Sequence, residues 1–321
     1  MPRKVLIDCD TGMDDAVALL LALRSIEMEV VGITCVNGNV SLDHVTENTL
    51  KVVEHSGVDT PVYAGAQSAL LHIQSRNAAV VHGSDGLGGI HFPDPMHKMM
   101  DQHAVDFIVE TFMSAKEPMD WITLGPLTNA ALALRREPRI IEKIQQLTMM
   151  AGCVESGNIT LSAEFNVFAD PEAARIVFDT EIKKVMIPLD PLWNGGHLAA
   201  DQVNDIKKTT GKPWCEMAGK IFSRTRELVA ELGREPIFEV GSVTPPDLLA
   251  VAVAIDPSIA EIQDFHVFIE TSGEYTRGMT VIDNRQYGRA KEIPGRGKVS
   301  VAMSVDQVRY SELVLSTWLA E

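Results

Sequence analysis

Cysteine is scarce in this chain: Cys9, Cys35, Cys153 and Cys215 are scattered over 321 residues, with no C-x-x-C pair among them. Each lies beside apolar neighbours, which predicts buried free thiols and excludes a zinc ribbon or a disulfide scaffold. Positive charge is also in short supply, 28 Lys and Arg against 44 Asp and Glu, for a net charge of −16. With a pI near 5.0, the chain is unsuited to a phosphate backbone or an anionic lipid surface, so neither nucleic acid nor membrane is expected as a partner. Long apolar runs are missing too. The longest helical ones, 16–23 and 248–255, fall well short of the roughly 20 residues that cross a bilayer. Met1-Pro2-Arg3-Lys4 leads straight into a strand pattern, so no signal peptide is expected and a reducing cytoplasm is the predicted setting. No internal repeat or low-complexity tract interrupts the sequence.

What is present is enough apolar material for a large core. At 45% hydrophobic residues and a mean hydropathy of +0.05, residues 1–321 are expected to form a single α/β domain. Short apolar runs at 4–7, 29–35, 62–64, 120–124, 146–150, 184–187 and 264–270 read as strands. Helical patterns occupy 15–25, 42–55, 104–114, 127–135, 171–179 and 214–232. Their alternation predicts a Rossmann-like, open and mostly parallel sheet with flanking helices. In such sheets ligands gather at the carboxyl ends of the strands, so chemistry is sought there.

The first strand ends in the most informative turn, Asp8-Cys9-Asp10-Thr11-Gly12-Met13-Asp14-Asp15. Four carboxylates this close repel one another, and a compensating cation is the simplest remedy. Oxygen-only ligation points to a hard divalent ion rather than to zinc. A blander reading remains for Asp14 and Asp15, because carboxylates in a first helical turn also cap free N–H groups. Other segments that follow strands are polar and glycine-rich: Val36-Asn37-Gly38-Asn39, Gly125-Pro126-Leu127-Thr128-Asn129, Ala151-Gly152 and Gly157-Asn158. Taken singly these are ordinary turns. Converging on one rim, they would make a polar cleft of ribose size.

The acidic turn resembles the DxDxxxDD signature of the inosine-uridine preferring nucleoside hydrolases. The similarity continues in order through Asn37-Gly38-Asn39, residues 61–65, the loop His82-Gly83-Ser84-Asp85-Gly86-Leu87-Gly88, residues 125–129 and 150–152, Asn158, Ala163-Glu164-Phe165-Asn166, and residues 170–174, 247–250 and 276–281. Nearly the whole chain is covered. The resemblance implies a Ca²⁺ ion held by Asp10, Asp15, Asp247 and the main-chain oxygen of Leu124, where a Thr is usual. It further implies that Asp14, Asn39, Glu164 and Asn166 bind ribose hydroxyls, with Met150, Asn158 and Phe165 lining the sugar site. Asp10 would act as general base for direct attack of water on the ribosyl carbon, and a homodimer or homotetramer is implied for the assembly. The expected activity is hydrolysis of ribonucleosides to free base and ribose.

The sequence departs from that family where the leaving base is handled. Members often place His or Trp directly before the last metal-binding Asp, whereas this chain reads Pro245-Pro246-Asp247. Proline can neither donate a proton nor stack as an aromatic does. His82 becomes the candidate acid, with His91, Tyr275 and Tyr287 as lesser ones. Two other readings stay open at this point. One is a nucleoside- or ribose-binding protein of the same fold with weak turnover. The other is a phosphatase of the haloacid dehalogenase type, with Asp8 as nucleophile and Asp10 as acid/base. Against it, Gly12 stands where that motif needs a hydroxyl residue.

Overall fold

The computed structural model describes residues 2–71, 78–231, 240–285 and 297–320. Its strands are β1 (Arg3–Cys9), β2 (Met28–Cys35), β3 (Val62–Ala64), β4 (Met119–Thr123), β5 (Ile144–Met150), β6 (Lys184–Ile187), β7 (Ala260–Phe265), β8 (Val267–Ile269), β9 (Thr280–Ile282) and β10 (Val299–Val305). Eight of them form one sheet in the order β3-β2-β1-β4-β5-β6-β10-β7, with β8 and β9 as a separate hairpin. All neighbours in the large sheet run parallel except β7, which is antiparallel to β10 at the edge. This is the doubly wound α/β architecture the alternation predicts. From β1 the order runs outward in both directions, so the crevice of the switch point lies between the carboxyl ends of β1 and β4. The acidic turn follows β1, and Leu124 follows β4.

The helices are α1 (Met13–Arg24), α2 (Leu42–Ser56), α3 (Ala79–His82), α4 (Ala104–Ser114), α5 (Thr128–Arg136), α6 (Phe165–Ala169), α7 (Pro171–Phe178), α8 (Ala200–Lys208), α9 (Pro213–Glu231), α10 (Pro246–Ile255) and α11 (Gln307–Leu319). Helices α1 and α10 are apolar all round and buried along almost their whole length, as expected for helices that lie inside a core rather than on it. They pack on each other, and that pairing brings Asp14 and Asp15 beside Asp247.

The strand expected at 264–270 is two strands. Alternation runs on past His266, yet β7 stays in the main sheet opposite β10, while β8 leaves to pair with β9. Strand β10, which pairs with both β6 and β7, lies outside the runs that the sequence pattern predicts as strands. All four cysteines are buried and free. Among the described residues, no helix is long and apolar enough to cross a membrane.

Candidate active site

The acidic turn closes on itself through its own backbone. Gly12 precedes α1 and has no side chain with which to cap it. Asp15 reaches back instead, accepting from the N–H of Gly12 at 3.0 Å and of Asp10 at 3.3 Å. Capping is thus a real part of what Asp15 does. Its remaining capacity is met by Asn39, whose Nδ2 donates to Asp15 Oδ2 at 3.1 Å and to the Asp10 carbonyl at 3.2 Å. The Asn39 N–H also donates to Asp10 Oδ2 at 2.7 Å. One asparagine therefore ties the loop after β2 to both acids.

Asp10 lies in a slot made by two glycines. A methyl group at Gly38 would come 2.0 Å from Asp10 Oδ2, and one at Gly125 would come 2.7 Å from Oδ1. Nothing larger than hydrogen fits on either wall. Oδ1 of Asp10 is buried without a hydrogen-bond partner, and so is Oδ1 of Asp247. Buried acceptors of this kind are costly unless something positive meets them.

Among the described residues, Asp14, Asp15 and Asp247 each offer a carboxylate oxygen, all within 4.8 Å of one another. Asp10 stands outside that trio, one of its oxygens held by the Asn39 N–H, yet its charge acts on Asp247. Burial, then the charges of Asp15, Asp14, Asp10 and Glu164, push the Asp247 carboxyl well above the usual range. Burial, then Asp15, does the same to Asp10. Burial, followed by Asp14, pushes Asp15 up to about 7. Among the described residues, no Lys or Arg pairs with any of these acids. The donor set is all oxygen, the charge is uncompensated and two oxygens are orphaned, which together suit a hard divalent cation.

The carbonyl of Leu124 accepts from Asn166 Nδ2 at 2.7 Å and keeps a second lone pair. The same Nδ2 donates to the Met150 carbonyl at 3.0 Å, which clasps the ends of β4 and β5 together. Glu164 caps α6, accepting from Asn166 N–H at 2.7 Å and from Gly152 N–H at 2.8 Å. Burial pushes its carboxyl up to about 7. Asn158 is exposed and accepts from the Phe165 N–H at 2.9 Å, while Phe165 and Met150 are buried. These ties, invisible in the sequence, give the polar residues a scaffolding job in addition to any contact with a ligand.

His82 ends α3 and is 6% exposed. Its Nδ1 accepts from the Met13 N–H at 3.2 Å, at the mouth of α1, and lies 3.6 Å from Asp14 Oδ1. Accepting at Nδ1 leaves the ring proton on Nε2. Of the lesser candidates, Tyr275 is 81% exposed and His91 is also exposed, while Tyr287 lies outside the described residues. Asp8 is fully buried, its Oδ1 taken by the hydroxyl of Thr34 at 2.5 Å and by Asn129 Nδ2 at 2.8 Å. Burial pushes it up to about 7. Asp8 is thus held by structural partners and is not part of the Asp14, Asp15 and Asp247 cluster, so the geometry lends no support to the phosphatase reading. Asp8 instead joins β1 to β2 and α5; the hint in the sequence was Asn129 at the end of the Gly125–Asn129 turn.

With the site assembled, the comparisons with known proteins become informative. A profile described as inosine-uridine preferring nucleoside hydrolase matches residues 5–312. The chain belongs to the inosine-uridine preferring nucleoside hydrolase family. It is 38% identical over 311 residues to the inosine-uridine preferring nucleoside hydrolase of Leishmania major, a match covering 96% of this chain and 95% of that one. It is 35% identical over 319 residues to the non-specific ribonucleoside hydrolase RihC of Salmonella enteritidis, covering 99% and 96%. A plant nucleoside hydrolase superposes with a TM-score of 0.90 at 27% identity, over 100% of both chains. This nucleoside hydrolase is therefore an enzyme of N-glycosyl bonds, and the acidic cluster lies at the switch point of its sheet.

Proposed function

We propose that this nucleoside hydrolase cleaves ribonucleosides to free base and ribose in a Ca²⁺-dependent reaction, with Asp10 as general base. The observation that carries the reading is the convergence of Asp14, Asp15 and Asp247 within 4.8 Å, with partnerless buried oxygens on Asp10 and Asp247. Asp10, Asp15, Asp247 and the Leu124 carbonyl would hold the ion, with Asp14 close enough to share it. Bound there, Ca²⁺ supplies charge that acidifies a nearby water and a centre that orients the sugar diol.

The rest falls to the chain's own groups. Breaking the ribosyl C–N bond builds positive charge on the ring oxygen and C1′, and the surrounding carboxylates stabilise that charge as it forms. Asp10, confined between Gly38 and Gly125, is held in one orientation to take the water's proton. Asp14, Asn39, Glu164 and Asn166 would bind the ribose hydroxyls, with Met150, Asn158 and Phe165 around the sugar. His82 would donate from Nε2 to the departing base. Water attacks directly, as in inverting glycosidases, with no covalent enzyme intermediate.

A ribose-release assay on inosine, adenosine, guanosine, uridine and cytidine, with added Ca²⁺ and with chelator, tests the reading. Release that needs Ca²⁺ and returns when it is restored is the expected result. Full release in chelator would refute the metal requirement, and no release from any nucleoside would favour the ribose-binding alternative.

A further inference from the structure

Beyond Met150, where β5 ends, the amides of residues 152–155 all go to side chains from other segments. The Gly152 N–H donates to Glu164 Oε2 at 2.8 Å, and the Cys153 N–H to Thr280 Oγ1 at 3.0 Å. Those of Val154 and Glu155 donate to the two oxygens of Asp190, at 2.6 and 2.9 Å. Side chains here take the place of a ladder.

Thr280 does more than accept. Its hydroxyl also donates to the Cys153 carbonyl at 2.5 Å, so one side chain satisfies both main-chain groups of a buried residue. Its methyl group fills the place where Gly152 has no side chain: a Cβ there would come 2.5 Å from Thr280 Cγ2. Gly152 has a φ of +76°, in the left-handed region that glycine enters without strain. Thr280 is itself buried and fixed in the β8–β9 hairpin opposite Ile269. That hairpin is anchored in turn, because Arg277 grips Glu172 of α7 bidentately at 2.7 and 2.8 Å.

These ties converge on Glu164. Three N–H groups hold its carboxylate, that of Asn166 on Oε1 and those of Gly152 and Val167 on Oε2. A carboxylate has about four lone-pair sites, so the open one lies on Oε1, and its direction is set by what grips Oε2.

Resting on the ribohydrolase reading, in which Glu164 binds a ribose hydroxyl, we propose that Thr280 is a positioning residue for that contact. It acts through the Gly152–Cys153 peptide. Holding Cys153 by both its N–H and its carbonyl keeps the Gly152 N–H aimed at Oε2, and thereby the open lone pair of Oε1 aimed at the sugar. Without the hydroxyl, the buried Cys153 groups lose their partner and the peptide turns to find another. Threonine meets both local requirements, a hydroxyl for Cys153 and a methyl for the gap beside Gly152. Valine keeps only the second, and serine only the first.

The test is a mutant cycle in kcat/KM for ribose release from inosine and uridine with Ca²⁺, using the wild type, Thr280→Val, Glu164→Gln and the double variant. Thr280→Val is expected to cost about tenfold, a fraction of the roughly 100-fold that goes with a 1 Å misplacement, and Thr280→Ser should recover most of it. In the Glu164→Gln background the same valine should cost less than about twofold, because the group it acts through is already disabled. Equal losses in both backgrounds would overturn the proposal and leave the ribohydrolase reading intact, since a residue that only supports the fold acts alike on either. Thr280→Ser no better than Thr280→Val would overturn it too. Full activity in Glu164→Gln would sink the sugar contact and the proposal together, and ribose released from neither nucleoside by the wild type would sink the ribohydrolase reading as well. Thr280→Cys, close in size and with only a weak S–H donor, carries the same cycle if the valine protein fails to fold.

Discussion

Gly38 and Gly125 are where a single methyl group should matter most. Each faces Asp10, and an alanine at 38 would overlap its Oδ2. Gly38→Ala is expected to swing the carboxylate aside and lower kcat by about 100-fold, the scale of a 1 Å misplacement. Circular dichroism should show an unchanged fold, because the glycine lies in a loop outside the sheet. Steady-state rates on a nucleoside check this, and near-normal turnover would mean that Asp10 is not the base. At this scale the sequence was partly legible. Crowding of Asp8, Asp10, Asp14 and Asp15 is a matter of local spacing, so it could be read directly. The division of labour among them could not, because it depends on partners from distant segments: Thr34 and Asn129 take Asp8, while Asn39 takes Asp10 and Asp15. Likewise Asn166 clasps two strand ends through contacts that only packing reveals.

Among the elements, helices α1 and α10 set the geometry. Their N-termini, where unpaired N–H groups favour negative charge, meet at the acidic cluster because two apolar cylinders pack side by side in the core. The apolar run at 248–255 was visible in the sequence, but nothing local says which helix it packs against. Only family resemblance linked Asp247 to Asp15. Helix α9 is rooted in the core by its first half, where Cys215, Met217, Ala218, Ile221 and Phe222 are buried. Its described tie to the site is Arg224, whose Nε donates to the Gly88 carbonyl, while the guanidinium pairs with Glu231 at 2.8 Å. Arg224→Ala should loosen the loop that carries His82, raising KM several-fold while leaving thermal stability nearly unchanged, because its carboxylate partners are solvent-screened. An unchanged KM would show that the loop needs no such anchor.

For the molecule as a whole, the acidic cluster trades stability for function. Asp15 and Glu164, both pushed up to about 7 from ordinary values of 3.8 and 4.5, hold protons more tightly folded than unfolded. Their contribution is therefore fully present at low pH and is lost as pH rises through about 7. An ion that binds the folded carboxylates offsets that loss. The Tm gain from Ca²⁺ over chelator should accordingly be larger at pH 8 than at pH 5, checked by differential scanning fluorimetry; an equal gain at both would contradict it. With β1 and β4 central to a sheet that carries an apolar core on each face, we also expect residues 1–321 to unfold in one transition.

The central claim is that segments far apart in sequence close around one divalent ion at the switch point of the sheet. Isothermal titration of the metal-free protein with Ca²⁺ tests it most directly, comparing wild type with Asp15→Asn and Asp247→Asn. The account predicts one site per chain in the wild type and its loss in both variants, which should remain folded. Undiminished binding in either variant would contradict it.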